Sequence, residues 1–293
     1  MCIRDRSIFF RSGRRIARLS VVERSKLQLE MRGDMASILL EGREIASGEL
    51  VQPLLHCPEQ AYITVCERCI YDCKFCAVPR LQGGVKSRDQ VLRMVEGASR
   101  TGSLRAISLT SGVEVSREHE GRRVAQIVRD LRGFGVPIGV SVSPFPGVSR
   151  MLREAGACEV KYNLETADPD LFSMVCPGIS FQEIMDALEE AVEVFGRNRV
   201  FSNIIVGLGE SESALREAID WLAEMGVLPV LRAVYPHPLR LGEVEMRRPD
   251  AHRLLGLAFH LRSALERNRL SGDLARTGCY LCTGCDLAPG RDL

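Results

Sequence analysis

The stretch Ala61-Tyr-Ile-Thr-Val-Cys66-Glu-Arg-Cys69-Ile-Tyr-Asp-Cys73-Lys-Phe-Cys76 lies early in a chain of 293 residues and decides its fold. Its first five residues are mostly apolar or β-branched, which predicts a short buried strand. The strand runs directly into a loop with cysteines at 69, 73 and 76, in the pattern C-x3-C-x2-C. Because barrels of alternating strands and helices place their chemistry in the loops that follow strands, this loop is predicted to be functional.

A short apolar run followed by a longer amphipathic stretch recurs about six times after residue 60. Near-continuous apolar runs are typical of parallel strands buried on both faces, and amphipathic stretches are typical of covering helices. The sequence therefore predicts an α/β fold, either a partial (β/α)6 barrel of TIM-like type or a doubly wound sheet, with its ligand at the carboxyl ends of the strands. The predicted strands are residues 61–65, 105–110, 138–142, 159–164, 200–206 and 230–234, and the predicted helices are residues 87–98, 122–134, 148–155, 181–195, 212–225 and 251–268.

The two ends of the chain differ from this repeating centre. Residues 1–34 are rich in Arg and Ser and have few spaced apolar positions, which predicts a disordered or non-native extension. Residues 35–270 are expected to form the α/β unit. Residues 271–293 carry cysteines and are expected to form a separate tail.

Composition narrows the classes of function. The net charge of +1 gives no long-range field for nucleic acid or an anionic membrane, so neither is an expected partner. No apolar run reaches the roughly 18 to 20 residues that span a bilayer. Seven of the eleven cysteines fall into two tight clusters, which is typical of metal sites in a reducing cytoplasm rather than of a disulfide framework.

The first cluster has the spacing of an iron–sulfur ligand set. A loop of this kind can hold three corners of a [4Fe–4S] cluster on Cys69, Cys73 and Cys76 and leave the fourth iron without a protein ligand. The alternatives are a structural zinc site with Cys66 as fourth ligand, and chance.

This loop, with an aromatic Phe75 before its last cysteine, resembles the motif of the radical S-adenosylmethionine (SAM) superfamily, and the resemblance covers about residues 57 to 290. It implies a partial (β/α)6 barrel in which SAM chelates the open iron and Phe75 contributes to SAM binding. It also implies a reductant such as ferredoxin or flavodoxin, whose electron cleaves SAM to methionine and a 5′-deoxyadenosyl radical. The cofactor carries the chemistry, and the protein positions and shields it.

Three further segments resemble the family in the same sequence order. Thr110-Ser111-Gly112 resembles the glycine-rich segment that holds the SAM amino group. Val206-Gly207, within Gly-Leu-Gly-Glu, resembles the segment along the adenine. Each has a plain alternative, a strand-end turn for the former and a glycine-rich helix entry for the latter. The third segment, Lys161-Tyr-Asn163-Leu-Glu165-Thr166, resembles the Asn-x-Asn-Leu-(Asp/Glu)-Thr signature of biotin synthase and lipoyl synthase.

Residue alternation predicts that Asn163 and Glu165 share one face, with Leu164 opposite. The resemblance implies that Glu165 contacts the SAM ribose and that Asn163 lies near ribose and substrate. Lys161 stands where the family has its first Asn. The alternative is a polar pair that caps the next helix. Arg232 could hold a substrate carboxylate or lie near a second cluster, and the alternative is a surface ion pair. Tyr235 lies on or just after the sixth predicted strand, and His237 is expected to be a plain loop residue.

The second cluster is Cys279, Cys282 and Cys285, in the pattern C-x2-C-x2-C. This is the start of a ferredoxin-type run, but Pro289 stands where the fourth cysteine would fall. We predict a second, auxiliary [4Fe–4S] cluster with a remote fourth ligand, with a zinc site as the alternative. The candidates for that ligand are Cys57, Cys66, Arg276 and Asp286.

A labile cluster corner and the biotin/lipoyl resemblance together predict a transferase that inserts sulfur at an unactivated carbon. The C-terminal position of the trio resembles the split, two-protein lipoyl synthases, which implies a second synthase subunit and an octanoyl-lysyl carrier protein or peptide as substrate. The alternatives are a radical SAM methylase, mutase or lyase whose tail cluster anchors substrate, and a non-catalytic iron–sulfur or zinc protein.

Overall fold

The computed structural model describes residues 7–13, 15–21, 25–51, 59–282 and 286–287. Its larger sheet has seven strands. Six of them are parallel and follow one another in chain order, and a short last strand is added antiparallel at one edge. The strands are β6 Gln60–Thr64, β7 Ala106–Thr110, β8 Ile138–Ser141, β9 Glu159–Lys161, β10 Val200–Val206, β11 Leu228–Ala233 and β12 Asp286–Leu287.

This strand order separates the two predicted architectures. A doubly wound sheet reverses its strand order at a switch point, whereas here the order runs from β6 to β11 without reversal. The sheet is open, because its end strands β6 and β12 do not pair with each other. The predicted partial (β/α)6 barrel is therefore confirmed, and the doubly wound alternative is wrong.

Helices alternate with these strands, and their starts are set by capping side chains. Ser87, Ser116, Ser180 and Ser211 each accept a hydrogen bond from a backbone N–H in the first turn of the following helix. The helices are α1 Arg88–Ser99, α2 Arg117–Leu131, α3 Val148–Ala155, α4 Pro169–Val175, α5 Phe181–Phe195, α6 Glu212–Met225 and α7 Ala251–Arg267. Within the described residues, no helix combines the length and the apolar character that crossing a membrane requires.

Three local expectations differ from the structure. Helix α2 begins five residues before the predicted start at 122, because Ser116 caps it. Helix α4 was not predicted, although Asp168 caps it and Pro169 occupies its first turn. The fourth barrel strand ends at Lys161 rather than 164, because Glu165 takes a left-handed conformation with φ +63°.

A second, antiparallel sheet precedes the barrel. Its five strands run in the order β2-β1-β5-β4-β3. The turn between β4 and β5 is Glu41-Gly42, whose φ values of 52° and 78° match the type I′ hairpin that suits the strand twist. The strands are β1 Ser7–Ser12, β2 Arg15–Ser20, β3 Leu27–Arg32, β4 Met35–Leu40 and β5 Arg43–Val51.

This sheet changes the predicted N-terminal boundary. Residues 1–34 were predicted to be disordered or non-native, but the described part of that segment contributes three strands. The predicted boundary at 35 also falls inside the sheet, since β4 pairs with β3. The strands β1, β2 and β3 are six residues long, but Arg, Ser, Gln and Glu residues interrupt their apolar pattern. The barrel itself begins at Gln60.

The tail is not separate from the barrel either. Cys279 and Tyr280 are buried in the same apolar core as the barrel strands. The Tyr280 hydroxyl donates to the carbonyl of Pro229 in β11 at 2.7 Å. The described part of the predicted unit 271–293 is therefore packed into the barrel.

Candidate active site

A cavity of about 610 Å³ lies at the carboxyl ends of the barrel strands. It brings together most of the predicted site residues, although they come from four separate segments of the chain. The predicted residues that line it are Cys69, Cys73, Cys76, Thr110, Ser111, Gly112, Asn163, Glu165 and Arg232.

The cysteine loop is held in place by backbone hydrogen bonds. Ile70 N–H donates to the carbonyl of Val113 at 2.7 Å, on the side of β7, and Lys74 N–H donates to the carbonyl of Val175 at 2.8 Å, at the end of α4. The N–H of Cys76 donates to the carbonyl of Cys73 at 3.0 Å, which closes the last turn. The loop is thus fixed between two barrel units.

Gly112 is needed where this loop crosses the end of β7. A Cβ built at residue 112 would lie 2.1 Å from the carbonyl oxygen of Arg68, so the loop can pass only over a residue without a side chain. The N–H of Gly112 donates to the carbonyl of Cys66 at 2.9 Å. The predicted segment Thr110-Ser111-Gly112 therefore supports the cysteine loop as well as lining the cavity.

Arg240 holds the loop from the opposite side, and sequence reasoning missed it. Its side chain is fully buried, and its Nε donates to the carbonyl of Cys76 at 2.7 Å. Its guanidinium also forms ion pairs with Asp72 at 2.7 Å and Glu243 at 2.9 Å. Nothing in the local sequence marks one arginine among many, because its partners in the cysteine loop, Asp72 and the Cys76 carbonyl, lie far away in the chain.

The three loop thiols suit a metal cluster in chemistry and placement. Burial raises the pKa of the Cys69 thiol and raises that of Cys76 to about 11, so binding metal there would release protons. In the described part of the chain, no three His, Cys, Asp or Glu side chains are grouped closely enough to hold a single metal ion. A cubane, with ligands spread around a larger body, fits thiols along a cavity wall.

Cys176 is a second residue that the sequence did not single out. It is buried at the end of α4, lines the cavity and is hydrogen-bonded to Cys73 through their side chains. The only signal in the sequence is a cysteine before the turn Pro177-Gly178, which is too common to be informative.

Asn163 and Glu165 face the cavity, and Leu164 between them is buried, as alternation predicted. The left-handed backbone at Glu165 is fixed by β10, because its N–H donates to Asn203 at 2.9 Å and its carbonyl accepts from Ile205 at 2.8 Å. A non-glycine residue there costs about 1–3 kcal/mol, a strain that is common at functional sites.

Asn203 supplies a further polar group that fits a ligand. Its side chain is 3% exposed and lines the cavity, yet its Oδ1 has no hydrogen-bond partner among the described residues. A buried acceptor without a partner costs about 1–3 kcal/mol, which a bound donor such as an amino or hydroxyl group would offset. The cavity therefore suits a polar cofactor such as SAM beside the cysteines.

Phe75, Val206 and Gly207 were predicted to contact SAM, but they are not among the described residues that line the cavity. Phe75 packs against the core. Gly207 is required for a different reason, since a Cβ there would lie 2.2 Å from the carbonyl oxygen of Arg247. The carboxylate of Glu210 accepts from the N–H groups of Gly207 and Leu208 at 2.7 and 2.6 Å, which fixes this turn.

Tyr235 and His237 remain outside the site. Tyr235 is 70% exposed. His237 caps a short helical turn by accepting from Leu239 N–H at 3.2 Å, as a loop residue would.

Two of the three tail cysteines, Cys279 and Cys282, are among the described residues, and Cys279 borders a small void of about 20 Å³ inside the barrel. Cys279 and Cys282 are buried, and Lys161 Nζ donates to Cys279 Sγ at 3.5 Å. Cys285 and the candidate ligand Cys57 lie outside the described residues. Cys66 lines the large cavity, and its Sγ donates to the carbonyl of Arg68 at 3.3 Å. The other candidates are Arg276, whose N–H donates to Glu159, and Asp286, whose backbone pairs with Arg232.

The sequence was compared with known proteins. Residues 63–222, more than half of the chain, match the radical SAM superfamily. A biotin synthase from Magnetococcus marinus is 27% identical over 202 residues, which is 65% of this chain and 61% of that protein. A lipoyl synthase from Leifsonia xyli subsp. xyli is 24% identical over 200 residues, or 66% of this chain and 60% of that protein. The chain thus spans about six tenths of these relatives.

Solved structures share the fold at lower identity. Methylornithine synthase (PylB) superposes with a TM-score of 0.57 at 19% identity, covering 69% of this chain and 62% of that one. The hydrogenase maturase HydG from Carboxydothermus hydrogenoformans gives 0.60 at 19% identity, covering 71% and 51%. The sequence match, the partial barrel and the cysteine loop all indicate the same family. The chain belongs to the radical SAM superfamily.

Proposed function

We propose that this radical SAM enzyme inserts sulfur at an unactivated carbon, as a lipoyl synthase-type transferase. The observation that carries the proposal is the placement of its two cysteine sites, with the Cys69 loop at the carboxyl ends of the strands and Cys279 in the interior below the same cavity. Tyr62, Ser141 and Lys161 line both spaces, so the tail borders the part of the interior that a substrate in the large cavity would face. Curated relatives of this chain include both biotin and lipoyl synthases.

The roles of the residues follow from their places. Cys69, Cys73 and Cys76 would hold the [4Fe–4S] cluster that SAM completes, and together these supply the 5′-deoxyadenosyl radical. Glu165 and Asn163 would orient the SAM ribose, and the Oδ1 of Asn203 would accept a hydrogen bond from the ligand.

The tail would hold the auxiliary cluster that donates sulfur, on Cys279, Cys282 and Cys285. The proposed substrate is an octanoyl-lysyl carrier protein or peptide, with ferredoxin or flavodoxin as reductant and a second synthase subunit as partner. Arg232, which lines the cavity beside the tail strand β12, is placed to hold a substrate carboxylate or to face the auxiliary cluster.

Single-turnover chemistry tests the proposal. Reconstituted full-length protein is incubated anaerobically with SAM, dithionite and an octanoylated peptide, and deoxyadenosine, thiolated peptide and acid-labile sulfide are measured. We expect a thiolated product and a matching loss of sulfide. Deoxyadenosine without any sulfur-bearing product or loss of sulfide would refute sulfur insertion and favour a methylase, mutase or lyase.

A matched variant separates the two sites. Cys282→Ala should still cleave SAM but should not thiolate the peptide, because Cys282 belongs to the proposed donor. If Cys282→Ala thiolates the peptide as the unmodified protein does, the tail is not the sulfur donor.

A further inference from the structure

The side chain of Ser111 is attached both to the cysteine loop and to helix α2. Ser111 follows β7 and lines the large cavity. Its hydroxyl accepts a hydrogen bond from the backbone N–H of Cys66 at 3.1 Å and donates one to the carboxylate of Glu120. Its own backbone N–H donates to the carbonyl of Ser141, at the end of β8, at 3.1 Å. The hydroxyl is therefore fixed between the loop and the helix, beside the cavity.

Glu120, the partner of that hydroxyl, is a buried acid in the first turn of α2. Its residue is only 1% exposed. Both of its carboxylate oxygens pair with Arg123: Nη2 donates to Oε2, and Nε donates at 3.3 Å to Oε1, the same oxygen that Ser111 contacts. A buried carboxylate is costly unless it is paired and hydrogen-bonded. Here the arginine supplies the pairing, and the printed hydrogen bonds of the carboxylate run to Arg123 and Ser111 alone among the described residues.

The carboxylate decides what the Ser111 hydroxyl can offer to a ligand. A carboxylate paired with arginine only accepts hydrogen bonds, so the single hydroxyl hydrogen of Ser111 is directed to Glu120. One of the two lone pairs on the hydroxyl oxygen takes the N–H of Cys66. The second lone pair remains for a molecule in the cavity. Because a lone pair binds only a donor, Ser111 selects for an N–H or O–H group.

We propose that Glu120 is a positioning residue that holds the Ser111 hydroxyl as an acceptor for the amino group of SAM. The donors of SAM are its amino group, its ribose hydroxyls and the amine of its adenine. Ser111 is bonded to the cysteine loop, where the amino group would meet the open iron corner, whereas Asn163 and Glu165 follow β9. The SAM carboxylate is excluded from Ser111, because it too is an acceptor. This inference rests on the SAM site of the proposed function and not on sulfur insertion.

Equilibrium binding tests this inference without turnover. Full-length reconstituted protein, with its cluster oxidised, is titrated anaerobically with SAM and separately with 5′-methylthioadenosine, which has the adenosine part of SAM but no amino acid. The variants are Glu120→Met, which has no acceptor, Glu120→Gln, which keeps one, Ser111→Ala, and the double variant Glu120→Met/Ser111→Ala. Glu189→Met is the matched control, because Glu189 is exposed on α5 and does not line the cavity. Iron per chain is measured for every variant.

We expect Glu120→Met to weaken SAM binding roughly tenfold, because the released hydroxyl no longer presents its lone pair, and to change 5′-methylthioadenosine binding less than about twofold. Glu120→Gln should bind SAM as the unmodified protein does, because its amide oxygen is favoured where both Ser111 and Arg123 donate. Ser111→Ala should show the same selective loss. The double variant should lose no more than Ser111→Ala alone, since both changes act through one hydroxyl. Glu189→Met should bind both ligands normally.

Two results with Glu120→Met would overturn the inference. Equal weakening of both ligands would show a merely structural role, and unchanged or tighter SAM binding would show that Ser111 is not needed as an acceptor. Ser111→Ala keeps the pair of Glu120 and Arg123, so it decides the matter if Glu120→Met does not fold or load iron: unchanged SAM affinity in Ser111→Ala overturns the inference as well.

Failure of the proposed function is distinguishable from failure of this inference. If the unmodified reconstituted protein binds no SAM, the SAM site and the role of Glu120 are both wrong. If it binds SAM and the variants behave as expected, but no sulfur-bearing product forms from the octanoylated peptide, only sulfur insertion is wrong.

Discussion

At the scale of single residues, the three loop cysteines carry the clearest prediction. Cys69→Ala should lose the cluster and abolish deoxyadenosine formation, because two thiolates cannot hold three corners of a cubane. Cys158→Ala is the matched control, since Cys158 is a partly buried cysteine that does not line the cavity. Iron content and deoxyadenosine are measured for both. SAM cleavage at the unmodified rate in Cys69→Ala would contradict the assignment.

Gly112 gives a second residue-scale prediction, this time about geometry. Gly112→Ala should displace the cysteine loop, because the new Cβ would meet the carbonyl oxygen of Arg68, and we expect at least a tenfold loss of SAM cleavage. Gly97→Ala is the control, because a Cβ there meets nothing within 4 Å. In helix α1 that change should stabilise the fold by roughly 0.5–1 kcal/mol. Equal SAM cleavage by the two variants would show that the loop does not need residue 112 to be glycine.

At the scale of elements, Arg240 joins the segment after β11 to the cysteine loop. Arg240→Met should lower the free energy of unfolding by roughly 1.5–3 kcal/mol. It removes the hydrogen bond to the Cys76 carbonyl, and it leaves Asp72 and Glu243 without the buried guanidinium that pairs with them. Arg80→Met is the matched control. Arg80 is about half exposed and contacts the same Glu243 at 3.2 Å, so its loss should cost about 0–1 kcal/mol.

Chemical denaturation and iron content test the Arg240 prediction. Arg240→Met should also load less iron, since the loop that binds it is loosened. If Arg240→Met and Arg80→Met have the same free energy of unfolding and iron content as the unmodified protein, the contacts of Arg240 do not stabilise the cysteine loop.

Elements were predictable where one local signal dominates. The helices α3, α5 and α6 have their predicted bounds, because apolar periodicity and flanking Ser or Gly residues coincide in the sequence. The N-terminal sheet was missed, because polar and charged residues interrupt the apolar pattern of β1, β2 and β3, and β3 is exposed along its whole length. The end of β9 was missed, because the turn at Glu165 depends on pairing with β10, which no local pattern shows.

The residues of the candidate site were also predictable only where a local sequence pattern identifies them. Spacing identified the cysteine loop, and alternation placed Asn163 and Glu165 on one face. Arg240 and Cys176 were not predictable, because they reach the loop only through the fold. Val206 and Gly207 were predicted to lie along the adenine from the resemblance of their segment to the family; in the structure, Gly207 lies against the backbone of Arg247.

At the scale of the whole molecule, the tail and the barrel should unfold as one unit. A chain that ends at residue 275 would leave Gln60, Ser108 and Glu159 buried without their tail partners, each at a cost of about 1–3 kcal/mol. We expect a large drop in melting temperature, measured by circular dichroism on the apoprotein. Cys282→Ala is the control, since it keeps these hydrogen bonds. An unchanged melting temperature in the shortened chain would show that the tail is not part of the barrel.

The central claim is that the cysteines of the loop leave one iron corner open to SAM. EPR of the anaerobically purified and reduced protein, combined with metal analysis, tests it most directly. We predict iron rather than zinc, about eight irons per chain if both sites are filled, and a [4Fe–4S] signal whose g values change when SAM is added. Zinc at the loop, or a cluster signal that SAM leaves unchanged, would contradict the account.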